Sequence, residues 1–348
     1  MRYAAILPLA ALFAGLQVAA PAAACACGVP APRPGDEVQV GKEYAIVSWD
    51  GEQERIELLL DMLATTDDVG LIVPTPAPAA VTAGDRELFA DIEEAIAPKQ
   101  VVVDDWWSGD GGDGSAGGAP PQVLDQVQLG PVEATTLAAG DATGLTEWLD
   151  TNGYAVRDEI TEGLEDYVER GWYFVAMRLT GDEPLEGLLD PVVLTFDSDR
   201  LVYPMALSQA ATTEQQARLY VFQDHRARVT GLDDPAATLP HAQTVWAGPA
   251  PDTLPELGAY LTVVDLYFPS PATQIPGDLL VVQAGDDEPL QPAYTVTRPV
   301  SVLGIPFGVF AILGAVALVL ILVALGTLVR RWYRASLPAN GDARSQGR

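Results

Sequence analysis

Apolar positions along this chain fall mostly in short runs divided by turn residues. Few of them form long helical stripes. Tyr44 to Trp49 is β-rich, Asp50-Gly51 is a tight-turn dipeptide and Glu54 to Leu63 returns, so residues 40–63 predict a hairpin. Val69 to Val73 predicts a third strand. Pro74, Pro76 and Pro78 then predict an extended, non-helical segment, because each fixes φ and removes a backbone donor. From Asp85 to Ala97 the positions of Leu88, Phe89, Ile92 and Ile96 mark one side of a helix, which Pro98 ends. Val101 to Trp107 predicts another strand. Residues 108–121 read SGDGGDGSAGGAPP, which offers nothing to pack and predicts a flexible loop.

Further on, Thr143 to Thr151 and Ile160 to Arg170 predict two helices, closed by Asn152-Gly153 and by Gly171. Trp172 to Leu179 combines aromatic and β-branched residues and predicts a strand. Val192 to Phe196 and Leu201 to Met205 flank Asp197-Ser198-Asp199-Arg200 and predict a second hairpin. Ala217 to Gln223, Tyr260 to Phe268 and Leu279 to Val282 predict three more strands. The Pro- and Ala-rich stretch 231–257 predicts a loop, and 284–299 a stalk. The expected class is α+β, a strand-rich extracytoplasmic domain with hairpins and a few short helices. There is no regular βαβ alternation and no internal repeat of 20–50 residues.

The two ends have a different pattern. Arg2, an apolar run from Tyr3 to Val18 and small residues up to Ala24 follow the order of a secretory signal, with Ala22-Ala23-Ala24 as the cleavage site. A lipid-modified Cys25 is the rival there, although no large aliphatic residue precedes it. Val302 to Val329 holds 28 residues without a charge, more than the ~20 needed to cross a bilayer. Arg330, Arg331 and Arg334 follow and predict a cytoplasmic tail, with Trp332 and Tyr333 where an aromatic belt belongs. Gly304 and Gly308 have the GxxxG spacing of helix dimers, at the edge of the span. The expected layout is a signal peptide over 1–24, an extracytoplasmic domain over 25–285 and a stalk over 286–305. A transmembrane helix over 306–329 and a tail over 330–348 complete it. The expected place is the cell membrane, with a single pass and the N-terminal domain outside.

Charge narrows the partners. The chain carries 19 Lys and Arg against 48 Asp and Glu, a formal charge of −29, which excludes a nucleic-acid binder reliant on a basic face. Hydrophobic residues make up 49%, so the acidity does not signal a disordered tail.

Candidate chemistry is thin. Cys25 and Cys27 are the only cysteines; in an oxidising compartment they form a disulfide, within or between chains, or stay as thiols. His225 and His241 are not spaced as a local metal pair. Asp104, Asp105, Asp110 and Asp113 surround the Gly-rich loop, an arrangement of oxygen ligands suited to calcium, without the EF-hand spacing. Acidic neighbours such as Glu93-Glu94 and Glu165-Asp166 are expected by composition alone, and a carboxylate hydrolase requires two acids facing across a cleft. No GxSxG, HExxH, P-loop or dinucleotide fingerprint occurs, so no catalytic residue is assigned and no cofactor is expected. Adjacent Trp106 and Trp107 point to opposite faces of a strand, so one of them is expected at a recognition edge, with Pro74, Pro76 and Pro78 as a second contact segment.

Several motifs together carry a resemblance. Cys25-Ala26-Cys27-Gly28, Tyr44 to Gly51 (YAIVSWDG), Leu71 to Pro78 (LIVPTPAP), Leu149 to Tyr154, Tyr167 to Leu179 (YVERGWYFVAMRL) and Gln274 to Leu280 resemble a bacterial family known as domain of unknown function 2330. The similarity covers most of residues 25–285. It implies an exported, often membrane-anchored envelope protein, and supplies neither a reaction nor catalytic residues. The expected role is a binding or scaffolding ectodomain whose partner is an envelope protein or ligand. The rivals are a carboxylate-dependent envelope hydrolase and a calcium-dependent adhesion or sensor module.

Overall fold

The computed structural model describes residues 27–107, 133–137, 142–252, 254, 257–302 and 305–336. Two units make up the chain: residues 1–97 with 120–292, and residues 98–119 with 293–348. The expected signal sequence, Cys25, Asp110, Asp113 and the Gly-rich segment 108–121 lie outside the described residues.

The first unit is strand-rich. Its early strands are β1 (Val29–Ala31), β2 (Val38–Trp49), β3 (Gln53–Ala64), β4 (Asp68–Thr75) and β5 (Ala80–Ala83), followed by helix α1 (Arg86–Ile96). Strand β6 (Lys99–Asp105) belongs to the second unit. The first unit resumes with β7 (Glu133–Leu137), α2 (Ala142–Asn152), α3 (Asp158–Glu169), β8 (Tyr173–Thr180), β9 (Glu186–Leu188), β10 (Val192–Asp197) and β11 (Leu201–Tyr203). It ends with β12 (Gln215–Gln223), β13 (Ala227–Gly231), β14 (Ala242–Pro249), β15 (Tyr260–Phe268), the one-turn α4 (Pro271–Gln274) and β16 (Leu279–Gln283).

The largest sheet runs β14-β15-β12-β2-β3-β10-β5, with β9 also on β3; a second runs β1-β4-β8-β7 and a third β11-β16-β13. The β2–β3 hairpin forms as the sequence predicts, Trp49 opposite Glu54. Helix α1 begins at Asp85, whose Oδ1 accepts the Glu87 N–H at 2.9 Å, and its buried face is Phe89, Ile92 and Ile96. Gly171 closes the turn after α3 at φ +75°.

Period-two alternation explains the layers. Ala45 and Val47 of β2 face an inner core shared with Ile56, Leu58, Leu71, Val73, Val175, Met177, Leu279 and Val281. Ile46, between them, faces the opposite way and packs with Leu59, Tyr220, Phe222 and the α1 residues Phe89 and Ile92. Likewise Ile72, Phe174 and Ala176 turn away from the inner core onto Leu145, Leu149, Ile160, Leu164 and Tyr167 of the helical layer. Strands covered on both faces read as unbroken apolar runs, which is why YAIV and LIV show no polar alternation.

Two expectations give way. Val192–Phe196 and Leu201–Met205 do not pair with each other: β10 lies between β3 and β5, while β11 crosses to β16 in another sheet. The connector between them is held by long-range bonds, Ser198 N–H to the Glu52 carbonyl at 2.9 Å and Trp49 Nε1–H to the Ser198 carbonyl at 2.9 Å. Burial of Leu194 and Phe196 against β3 outweighs the local turn. Residues 231–257 are not all loop, because β14 forms within them at the edge of the largest sheet. Its bulge between Thr244 and Trp246 and its terminal Pro249 are tolerated at an edge, where a missing donor breaks no second ladder.

The second unit is small. Strand β17 (Ala293–Pro299), in the segment expected as a stalk, pairs in parallel with β6, Lys99 opposite Ala293 and Asp105 opposite Pro299. A miniature pair, β18 (Ser301–Val302) with β19 (Ile305–Pro306), leads into α5 (Phe307–Ala335). This 29-residue helix is apolar enough to cross a membrane, and only 6% of its most apolar stretch is buried.

Candidate functional site

Several strands of the first unit, with the turns that join them, surround a cleft of about 1030 Å³. Its walls include Trp49, Asp50, Arg55, Asp199, Arg200 and His225. The β2–β3 turn is fixed from within: Asp50 Oδ1 accepts the N–H groups of Glu52 at 2.9 Å and Gln53 at 2.7 Å. Those two bonds hold the Asp50 carboxyl below the usual carboxylate range. Gly258 also lines the cleft, at φ +145°, and a Cβ there would lie 2.8 Å from the Gln223 backbone nitrogen. Only glycine permits that backbone approach.

Charges around the rim are paired. Arg200 holds both Asp199 oxygens at 2.8 Å and lowers the Asp199 pKa. His225 Nδ1 lies 2.8 Å from Asp287 Oδ2, and the Arg226 N–H donates to Asp287 Oδ1 at 2.9 Å. The His225 contact and then the backbone bond lower the Asp287 pKa. The rim is therefore polar and locally compensated, suited to a neutral or mixed-charge polar ligand more than to a simple ion.

Beneath the strands lies a second kind of site. Glu43 and Glu54 project from β2 and β3 onto the same side as Val47 and Ile56, and both are fully buried. Glu43 accepts from the Tyr203 hydroxyl and, at 3.4 Å, from the Cys27 N–H. Glu54 Oε2 accepts the Val202 N–H at 3.0 Å, whereas its Oε1 has no hydrogen-bond partner among the described residues. Burial pushes the Glu54 carboxyl well above the usual range.

Three more carboxylates tie distant segments together. Glu57 accepts from Arg55 and from the Asp85 N–H, each at 2.5 Å, at the start of α1. Asp68 accepts from Arg178 Nε at 3.0 Å and Nη2 at 2.6 Å, and also from Arg33 and the Tyr154 hydroxyl. Arg178 is the main cause of the lowered Asp68 pKa. Asp278 accepts from Arg170 Nη1 at 2.7 Å, the Met205 and Ala206 N–H groups at 2.9 and 3.0 Å, and the Tyr167 hydroxyl. These acids act as staples, each binding segments far apart in sequence.

The residues expected from sequence are scattered. Pro74 is buried inside β4 opposite Phe174, Pro76 is half-buried and Pro78 is exposed. Trp106 and Trp107 are exposed and belong to the second unit, so the two expected contact segments fall in different units. Asp104 Oδ1 accepts from Arg298 Nε at 3.0 Å and Nη2 at 2.8 Å, and Asp105 Oδ1 accepts the Trp107 N–H at 2.9 Å. Among the described residues no group of three or more His, Cys, Asp and Glu is placed to hold a metal ion. Cys27 is buried. Of the acidic neighbours, Glu93 accepts from Arg218 at 2.9 Å and from the Tyr220 hydroxyl at 2.5 Å. His241 Nδ1 lies 3.0 Å from the Tyr267 carbonyl, away from the partners of His225.

Sequence reading passed over the cleft and the buried acids. The cleft has no sequence signal, because its walls come from strands and turns far apart in the chain. The acids had one: Glu43, Glu54, Glu57, Asp68 and Asp278 each interrupt or border an apolar β run, where an unpaired charge is costly.

A family of bacterial proteins described as "uncharacterized protein conserved in bacteria (DUF2330)" matches residues 21–281, and the chain belongs to it. No curated protein matches the chain. Among solved structures, the crystal structure of baculovirus P35 is similar at 9% identity, covering 74% of this chain and 97% of that one, with a TM-score of 0.33. A mutated baculovirus P35 after caspase cleavage is similar at 9% identity over 72% of this chain and 100% of that one, with a TM-score of 0.34.

Proposed function

For this member of the DUF2330 family we propose a single-pass membrane protein whose strand-rich unit lies outside the cytoplasm and works by binding. The observation that carries the reading is α5. A core helix of a soluble protein is mostly buried, whereas this 29-residue helix leaves nearly all of its most apolar stretch exposed. Arg330, Arg331 and Arg334 at its end favour a cytoplasmic C-terminus, and the apolar N-terminal segment with its small-residue site favours export.

Binding is favoured over hydrolysis by how the acids are used. Glu43, Glu57, Asp68 and Asp278 already accept from backbone N–H groups, arginines or tyrosines. None of these acids lines the cleft. The cleft, with an indole, two guanidiniums and an imidazole among compensating carboxylates, is the ligand surface we assign to the first unit. Its ligand is a polar molecule or segment of an envelope component.

Alkaline extraction of membranes from cells making the full chain tests the anchoring. The full chain should stay in the pellet and a chain ending at Val302 should be released; release of both contradicts it. For the cleft, Trp49→Ala with Arg200→Ala should abolish the protection of His225 from chemical modification that envelope extract gives the wild type. Equal protection of both proteins contradicts the assignment.

A further inference from the structure

We propose that Trp106 and Trp107 are a lipid-interface anchor, seating the head of α5 at the boundary between headgroups and acyl chains. The proposal rests on the membrane-anchoring reading above and adds the residues that set its depth.

Both indoles pack on the first residue of the helix. The Trp106 ring lies 5.1 Å from that of Phe307 at 88°, and the Trp107 ring 6.2 Å from it at 75°, both edge-to-face. They nevertheless remain 48% and 71% exposed, whereas Trp246 in the first unit is 7% exposed. Packing on Phe307 therefore orients the rings without covering them.

Backbone bonds fix the arrangement. The Val300 N–H donates to the Asp105 carbonyl at 2.9 Å, and the Phe307 N–H to the Val300 carbonyl at 2.8 Å. The Trp107 N–H is held by Asp105 Oδ1 at 2.9 Å. Gly308 completes the contact: a Cβ there would lie 2.8 Å from the Trp107 carbonyl oxygen and 3.2 Å from its Cα. The small residue read from sequence as half of a helix-dimer motif is thus used within the chain, to bring the tryptophan backbone against the helix.

Length places this cluster at the boundary. The 23 uncharged residues 307–329 span about 34 Å at 1.5 Å per residue, against a hydrocarbon core of about 30 Å. With Arg330 at one face, the other face falls within about one turn of Phe307. Tryptophan favours that depth, where its apolar ring meets lipid and its N–H meets water. The Asp104–Arg298 pair, two positions back along β6, is exposed and marks the aqueous side. The apolar surface continues from the indoles into Val309 and Phe310, both exposed. A protein hot spot is instead enclosed by a ring of contacts that excludes water.

The test uses full-length protein reconstituted in phosphatidylcholine vesicles brominated on the upper acyl chain. Trp332→Phe removes the tryptophan at the far end of the helix. In that background the emission should be quenched by the bromolipid, and adding Trp106→Phe and Trp107→Phe should abolish the quenching. Gly308→Leu in the same background should keep the protein in the vesicles and weaken the quenching. Flotation without quenching of the Trp332→Phe protein would overturn the proposal and leave the anchoring intact; failure to float would overturn both. A photo-reactive side chain at position 107 in native membranes should label lipid, and labelling of a protein instead would overturn the proposal.

Discussion

The two units of this chain treat polar and apolar groups in opposite ways. Among its described residues the strand-rich unit buries five carboxylates, at Glu43, Glu54, Glu57, Asp68 and Asp278, while covering its apolar strands on both faces. The second unit leaves its charged pair Asp104–Arg298 in the open and exposes the two indoles and almost all of α5. A buried charge is tolerable only when donors surround it, so the first unit is organised around internal bonding. A long exposed apolar surface is tolerable only where the solvent is itself apolar, so the second unit is organised around its surroundings.

The contrast is broken most severely by emptying a buried staple. Asp278→Ala strands the Met205 and Ala206 N–H groups and the Tyr167 hydroxyl, and should cost about 3–5 kcal/mol, read by urea denaturation. In the second unit a change of similar size should act on a different quantity. Leu318→Arg at mid-helix should cost about 3 kcal/mol of membrane insertion, read by the membrane-bound fraction, with the melting of the strand-rich unit unchanged.

Two buried acids sharpen the comparison through opposite pH behaviour. The Asp68 pKa is lowered on folding, so its stabilisation is fully present above pH 3.8 and is lost as pH falls through the folded value. Asp68→Asn should therefore cost about 1–3 kcal/mol at neutral pH and progressively less in acid. The Glu54 pKa is raised on folding, so the folded state binds the extra proton and stability falls as pH rises above 4.5. Glu54→Gln keeps an acceptor for the Val202 N–H and should gain on the order of 1 kcal/mol at neutral pH, a gain that vanishes below pH 4.5. Melting temperatures from pH 3 to 8 check both. The smallest effect belongs to the exposed rim: Arg200→Ala loses a surface pair and should shift stability by less than about 0.5 kcal/mol.

What was legible in the sequence was local. The β2–β3 hairpin follows from Asp50-Gly51, α1 from the spacing of Phe89, Ile92 and Ile96, and α5 from an uncharged run too long for a core helix. What was not legible depended on pairing between distant segments. The polar residues Asp197 to Arg200, at the end of β10 and before β11, look like a hairpin turn, yet β10 gains more by inserting between β3 and β5. Strand β14 was hidden because the alanines and prolines around it dominate the composition of its stretch. The cleft draws on strands and turns that only the sheet order brings together. Trp106 and Trp107 were visible as unusual, but their contact with Phe307 spans some 200 residues and required the β6–β17 pairing.

The central claim is that α5 spans the membrane with the strand-rich unit outside and the C-terminus inside. The most direct measurement places a reporter at the end of the full chain, alkaline phosphatase in one fusion and green fluorescent protein in another, in bacterial cells. The account predicts an inactive phosphatase and a fluorescent green fluorescent protein, with a phosphatase fused after Gln283 active. An active phosphatase and a dark fluorescent protein at the C-terminus would contradict it.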